Sequence, residues 1–268
     1  MTVEATVTAP PRKHRLLSLR GRDRILSVVS PIGLLLVWEG AARVGFIDTR
    51  FFPAPSAILS LLIEMLKSGE LLTHTAVSLR RLFWGSVIGG VPALVIGIVM
   101  GLNRTIRALL DPIIAATYPI PKSSILPLAL LIFGLGESSK IFMVAIGVFF
   151  PVAINATTGV LEINKIYLDV GRNYKADRWS MFWTIALPGA LPVIMTGFKL
   201  GIGIGLILIA IAEMIGAKSG LGYLIWSAWE TFAVEQMYVG LFMIALIGFV
   251  LTVALNELER FIIPWKVN

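Results

Sequence analysis

The polar side chains of greatest chemical interest lie inside long apolar stretches. A charge or an amide in such a place either pairs with another polar group or serves a function. They are Lys122, Lys199, Glu213 and Asn155. An ammonium in such a place attracts anions, so both lysines are candidates for lining the path of an anionic solute. Alternatively, each lysine pairs with a buried acid or carbonyl, or extends towards a membrane interface. Glu213 either lines an outer mouth or caps a helix, and Asn155 either contacts solute or bonds to a neighbouring helix.

The residue content excludes several other kinds of chemistry. The sequence has no cysteine, which excludes disulfides, thiolate metal sites and cysteine nucleophiles. Its two histidines, His14 and His74, lie outside the apolar stretches, so haem held by two histidines within a membrane is excluded. The segments 201–205 and 216–219 only partly match nucleotide-binding loops. We therefore expect no metal site, no bound cofactor and no catalysis in this chain.

The apolar stretches themselves predict an all-α integral membrane protein. The chain of 268 residues is 57% hydrophobic and only 15% charged, which is too apolar for a soluble domain. Its longest apolar runs approach or exceed the roughly 20 residues that cross a bilayer as a helix. We expect a basic tail at 1–24 and a membrane domain at 25–268. The predicted spans are six in number: 25–46, 82–102, 109–133, 141–161, 189–212 and 239–263.

The positions of the basic residues predict how these spans are oriented. With the N-terminus inside, most of the 23 lysines and arginines fall on the inner connections. Basic residues favour the cytoplasmic side, so both termini and the polar segment 162–188 are predicted to be cytoplasmic. The net charge of +7 then reflects membrane topology, and no nucleic-acid partner is expected. On the outer side, the connection 52–79 is expected to contain an amphipathic helix that starts after Pro55 and Ser56, with Ser56 as its N-cap.

The polar segment between the fourth and fifth spans combines charges with aromatic residues. Asp169 and Asp177 are expected near helix N-termini, and Val170, Tyr174 and Trp179 supply apolar contacts. Such a helix either lies on the inner leaflet among lipid headgroups or docks into a groove of a cytoplasmic partner. Periodicity alone favours neither.

Residues 169–192 resemble the cytoplasmic signature loop of ABC importer permeases. The usual pattern is E-A-A, three residues, G, nine residues and I-x-L-P. Here residues 169–171 stand at E-A-A, and residues 185–188 match I-x-L-P at the right spacing. Lys175 occupies the glycine position, where a residue other than glycine costs energy if the backbone is left-handed.

Further segments resemble the nitrate, sulfonate, taurine and bicarbonate branch of these permeases, and the resemblance runs from about Pro31 to Lys266. The segments are FPAPS at 52–56, SLRR at 78–81, PIPK at 119–122, FGLGE at 133–137, AE at 212–213 and GLG at 220–222. The resemblance implies the type I ABC importer permease fold in a bacterial inner membrane. It also implies a cytoplasmic coupling helix between the fourth and fifth spans.

The same resemblance implies partners and a function. Two separate ATP-binding subunits hydrolyse ATP with magnesium, a second copy of the permease completes a homodimer, and an external solute-binding protein delivers the solute. Aliphatic sulfonate is the leading solute, with taurine, nitrate and bicarbonate as the others. The residues expected to couple to the ATPase are Asp169, Val170, Gly171, Tyr174, Lys175, Ala176, Asp177, Arg178, Trp179, Leu187 and Pro188.

Two other classes of function stay open. An ion-coupled secondary transporter or channel would more often show internal repeats and acidic residues at the middle of the membrane. A membrane enzyme or scaffold subunit is the second alternative, and an enzyme would need a cluster of histidine, aspartate or cysteine ligands. Neither pattern is evident in the sequence.

Overall fold

A computed structural model describes residues 13–265, and every regular element within that range is helical. The side chains at 13–25, 27, 28, 165, 168, 172 and 178 lie outside this description. So do residues 1–12, which form half of the predicted basic tail. The chain divides into two compact units, one up to residue 60 and one from residue 61.

The first unit contains helix α1, Lys13–Arg43, and the beginning of α2, Pro55–Lys67. The predicted outer helix is confirmed as α2, but Ser56 is not its N-cap because the helix already begins at Pro55. Instead, the backbone N–H and the hydroxyl of Ser56 both donate to the Glu39 carboxylate, at 2.9 and 2.8 Å. The first turn of α2 is thus bound to a side chain of α1.

The second unit contains the remaining helices. They are α3, Glu70–Leu102; α4, Arg104–Thr117; a 3₁₀ turn, Lys122–Ile125; α5, Leu126–Phe133; α6, Glu137–Leu161; α7, Lys165–Asn173; α8, Arg178–Met181; a π-helical turn, Phe182–Ala186; α9, Leu187–Met214; α10, Leu221–Glu230; and α11, Val234–Ile262.

Four helical segments in the described part of the chain are long and apolar enough to cross a membrane: Glu70–Leu102, Glu137–Leu161, Trp179–Met214 and Val234–Ile262. A fifth span results if α4 and the segment Lys122–Phe133 count together. These five correspond to the second to sixth predicted spans, although α3 begins at Glu70 rather than at residue 82. The first predicted span falls on α1, so a total of six stays a prediction.

The third predicted span is sharply bent. α4 and the segment Lys122–Phe133 meet at 89°. Pro119 and Pro121 lie at the bend, where their missing N–H groups cannot continue a helical ladder. Pro112 lies within α4 and Pro127 in the first turn of α5, so these two prolines do not break the span.

The core of the second unit is formed by α3, α6 and α9, whose backbones approach closely at small residues. A Cβ atom on Gly89 of α3 would lie 2.1 Å from the carbonyl oxygen of Ala145 in α6, and one on Gly97 would lie 2.5 Å from that of Ala153. On the other side of α6, a Cβ on Gly197 of α9 would lie 2.9 Å from the Pro151 carbonyl oxygen. The order of these contacts shows that α3 and α6 run in the same direction, as alternating spans two and four must.

Candidate functional site

The polar segment after α6 folds into a helical hairpin made of α7, a turn and α8. Helix α7 begins after Asn164, whose side-chain oxygen accepts a hydrogen bond from the Ile166 N–H at 3.0 Å. Asn164 therefore acts as the N-cap. The expectation that Asp169 lies near a helix N-terminus is wrong, because Asp169 lies in the middle of α7.

The turn between the two helices keeps a left-handed residue at the glycine position of the signature pattern. Lys175 has φ +54°. The N–H of Ala176 donates to the Gly171 carbonyl at 3.0 Å, which is the long-range bond of a Schellman motif ending α7. The tight turn is thus retained with a lysine where glycine is usual.

Asp177 begins the second arm of the hairpin, as predicted. Its side-chain oxygen accepts from the Ser180 N–H at 3.2 Å, and its carbonyl accepts from the Met181 N–H at 2.9 Å. Hydrogen bonds from the side chain and backbone of Ser180 lower the pKa of Asp177. A carboxylate at this N-cap is therefore stabilised in its charged form.

Gly171 closes the hairpin by leaving room for two side chains of the second arm. A Cβ at this position would lie 2.7 Å from the Ile185 side chain and 2.8 Å from the Met181 methyl group. Ile185 is the first residue of the I-x-L-P match. The two ends of the signature pattern therefore meet in space, one on α7 and one on the π-helical turn.

The base of the hairpin is anchored in the membrane-spanning core. Leu187 and Ile163 pack against a buried cluster that includes Ala190 and Ile194 of α9 and Ala156 and Val160 of α6. Pro188 is half-buried within the first turn of α9. No break separates α8, the π-helical turn and α9, so Trp179–Met214 is one helical segment of 36 residues. π-helical turns within α-helices are frequent at functional sites.

The remaining side of the hairpin presents large apolar side chains to the surroundings. We call this the aromatic face. Its members, with their exposed fractions, are Tyr167 (63%), Val170 (47%), Tyr174 (86%), Trp179 (69%) and Trp183 (50%). The rings of Trp179 and Trp183 are in edge-to-face contact at 5.5 Å. The neighbouring Arg178 side chain lies outside the described part of the structure.

Lys199 and Lys122, the two lysines predicted to face a solute path, both have partners. Lys199 of α9 forms an ion pair with Glu259 and donates to the Asn256 side-chain oxygen at 2.6 Å, and both partners lie on α11. The Lys122 ammonium donates to the carbonyls of residues 117, 118 and 120 at 2.8 to 3.0 Å. These contacts match the alternative in which each lysine pairs with an acid or a carbonyl. The pathway roles stay predictions.

Asn155 and Glu213 also have protein partners. The Asn155 amide donates to the Pro151 carbonyl of its own helix at 2.8 Å. Glu213 is fully buried and belongs to a group that we call the charge cluster: Ser78, Arg81, Glu137, Lys140 and Glu213. Arg81, which is 2% exposed, donates to Glu213 at 2.8 Å and to Glu137 at 2.9 Å. Sequence reasoning considered a mouth or a helix cap for Glu213 and missed this cluster.

The charge cluster binds the backbone of the loop between α9 and α10 and that of the first turn of α10. Arg81 donates to the Ser219 carbonyl at 2.7 Å, and Lys140 donates to the Gly216 carbonyl at 3.2 Å. In return, Ser78 accepts from the Leu221 N–H at 2.8 Å, and Glu213 accepts from the Gly222 N–H at 3.0 Å. The segments SLRR, AE and GLG carry Ser78, Arg81, Glu213, Leu221 and Gly222, but the sequence does not show that these segments meet.

The exposed aromatic face gives the hairpin a geometry that suits docking. Within residues 13–265, no group of three or more histidines, aspartates, glutamates or cysteines is placed to hold a metal ion. The hairpin instead offers an exposed apolar surface on a base that is packed into the core. Such a surface suits burial against a partner protein.

Comparison with known proteins agrees with this organisation. Residues 93–266 match the family described as "Binding-protein-dependent transport system inner membrane component". The chain is 36% identical to a taurine transport system permease protein of Escherichia coli (strain K12), covering 91% of this chain and 90% of that protein. It is also 36% identical to a permease protein of the same organism that is named for aliphatic sulfonates transport, covering 88% and 90%.

Two solved structures share the fold. A chain of the MetNI methionine ABC transporter in an inward-facing conformation matches 69% of this chain and 90% of its own length, with a TM-score of 0.54 and 20% identity. A chain of an amino acid ABC transporter matches 76% and 98%, with a TM-score of 0.59 and 19% identity. The expected type I importer permease fold is confirmed. The chain belongs to the binding-protein-dependent transport system inner membrane components, the permeases of ABC importers, in a branch with taurine and aliphatic sulfonate permeases.

Proposed function

We propose that this chain is the membrane subunit of an ATP-driven importer of small anions, with aliphatic sulfonates including taurine as the leading class. Two copies form the channel, two ATP-binding subunits dock on the cytoplasmic side, and an external solute-binding protein delivers the solute. ATP and magnesium bind to the ATPase subunits, and both termini of this chain are cytoplasmic. The names of the relatives support the solute class.

The observation that carries this proposal is the aromatic face. Tyr174 at the tip of the hairpin is 86% exposed, and Trp179 is 69% exposed. Large aromatic side chains dominate the energetics of protein interfaces when a partner buries them. The face is stiffened by the Gly171 contact and by the packing of Leu187, so a docking partner meets a surface that is already formed. We assign the ATPase subunit as the partner that binds the aromatic face, in a groove of its surface.

The test compares two aromatic residues of nearly equal exposure. Tyr174→Ala removes the tip of the face, and Phe261→Ala removes a side chain that is 85% exposed on α11, outside the hairpin. We expect Tyr174→Ala to weaken ATPase binding by about tenfold or more, as for an interface hot spot, and Phe261→Ala to leave it unchanged. Binding is measured by co-purification at graded ATPase concentrations. Equal binding by both variants and the parent would contradict the docking role.

The transport activity is tested in proteoliposomes. Permease, ATPase subunit and solute-binding protein are combined, and uptake of labelled taurine is followed with and without internal ATP. We expect uptake only with all components and ATP. Uptake by the permease alone, driven by an ion gradient, would instead identify a secondary transporter.

A further inference from the structure

The bend between α4 and α5 leaves irregular backbone exposed on the surface of the chain. Residues 118–121 link the two helical segments, and all four are exposed, as are Ser123 and Ser124 in the following 3₁₀ turn. Pro119 and Pro121 have no N–H to donate. This short stretch is the point at which the third span changes direction by 89°.

The bend lies at the middle of the membrane-spanning region. The Lys122 ammonium lies 4.0 Å from the centre of the Phe150 ring. Phe150 is close to the midpoint of α6, which runs from Glu137 to Leu161. A helix of that length is about as long as a bilayer core is thick, so its midpoint marks the centre of the membrane.

The bend is held by Lys122 itself. Its ammonium binds the carbonyls of Thr117 and Tyr118 at the end of α4 and that of Ile120 within the bend. A cation suits the negative end of a helix and the face of an aromatic ring, so both sets of contacts favour the charged lysine. Lys122 thus holds a positive charge at the bend, and the two exposed serines follow it directly in the chain.

Exposed irregular backbone at this depth cannot face lipid. The hydrocarbon core offers no hydrogen-bond partners, and non-helical backbone occurs there only when protein covers it or when it lines a water-filled cavity. Within this chain the bend is open. The hydroxyls and the fixed charge favour water and a small anion over an apolar protein surface, because burying polar groups without partners is costly.

We propose that the bend lines the water-filled solute path through Ser123 and Ser124, with Lys122 as the charge that favours anions at the centre of the membrane. This rests on the proposed transport function, and it names the place where the solute passes. Lys122 acts through its charge rather than by direct hydrogen bonds, since its three ammonium hydrogens are directed at three carbonyls.

The absence of cysteine from the natural sequence allows a direct test of water access. Ser124→Cys places a thiol at the bend. Val95→Cys is the control: Val95 is 56% exposed on α3, and the Gly89–Ala145 and Gly97–Ala153 contacts place it at the depth of Phe150. Both variants are assembled with the ATPase subunit in sealed proteoliposomes and treated with charged methanethiosulfonate reagents.

The expected result is selective labelling at the bend. Only a hydrated thiol ionises and reacts, so Ser124→Cys should react at least about tenfold faster than Val95→Cys. Labelling of both at similar rates, or of neither, would overturn the proposal; the second result would mean that protein covers the bend. Because labelling needs no uptake, its failure is separable from a failure of taurine transport.

The role of Lys122 is tested by reagent charge. Ser124→Cys is labelled with an anionic sulfonate reagent and with a cationic trimethylammonium reagent, each normalised to Ser68→Cys in the exposed turn before α3. Adding Lys122→Met should lower the anionic-to-cationic ratio by about tenfold, whereas Lys122→Arg should preserve it. An unchanged ratio in Lys122→Met would remove Lys122 from the proposal, because a purely structural lysine alters both rates alike.

Discussion

Replacing Lys175 by glycine should stabilise the turn of the hairpin. Lys175 has φ +54°, and a left-handed residue with a Cβ costs roughly 1–2 kcal/mol. Glycine avoids this strain but loses more backbone entropy on folding, which offsets about 0.5–1 kcal/mol. The net gain is about 1 kcal/mol, which corresponds to a factor of about five in the equilibrium between closed and open turn.

The reporter for this gain is the N–H of Ala176, which is bound to the Gly171 carbonyl. Hydrogen exchange measured by mass spectrometry on the purified transporter should show about fivefold slower exchange in this turn for Lys175→Gly. Lys175→Ala is the matched control, since it also removes the charge but keeps a Cβ. Equal exchange in the two variants would refute the reasoning, because the effect would then come from charge and not from backbone strain.

Three further predictions concern the hairpin and the charge cluster. Gly171→Ala should keep the hairpin closed because its Cβ meets only flexible side-chain ends, whereas Gly171→Leu should open it and abolish co-purification of the ATPase. Glu213→Gln should lower stability by about 3 kcal/mol, since it leaves Arg81 buried with one acid fewer, and thermal unfolding in detergent measures this. Glu137→Gln should lower stability less, because the Glu137 side chain is 48% exposed. An equal loss of stability in both variants would show that burial of the acid does not decide the size of the loss. The lowered pKa of Asp177 means that its capping contribution is present above the unfolded-state pKa and is lost as pH falls through the folded value. The first turn of α8 should therefore fray at low pH, which hydrogen exchange measures. Asp177→Asn should remove this pH dependence, and if the pH dependence persists in the variant, another group causes it.

The second to sixth predicted spans fall on the long apolar helices of the structure. The prediction placed the start of α3 too late because residues 70–81 are polar and charged, and hydropathy alone ends a span there. In the structure this stretch is helical, and Ser78 and Arg81 both donate hydrogen bonds to Glu213 of α9. That partner is far away in the chain, so no local pattern could reveal it.

The hairpin was predicted through a resemblance, and its details depended on local capping. Asp177 was identified correctly because an acid before a short helix is a strong N-cap signal. Asp169 was not, because Asn164 lies closer to the end of α6 and takes the capping position. The sequence also could not predict that the hairpin closes at Gly171, because this closure depends on how Met181 and Ile185 pack across the turn.

The unbroken helix from Trp179 to Met214 has a mechanical consequence. At about 1.5 Å per residue it is a rod roughly 50 Å long, with the aromatic face at one end and Glu213 at the other. A tilt of about ten degrees around its inner end would carry the outer end by roughly 9 Å, given that length. A small rotation imposed at the aromatic face is therefore magnified at the opposite end of the helix, at the loop that the charge cluster holds.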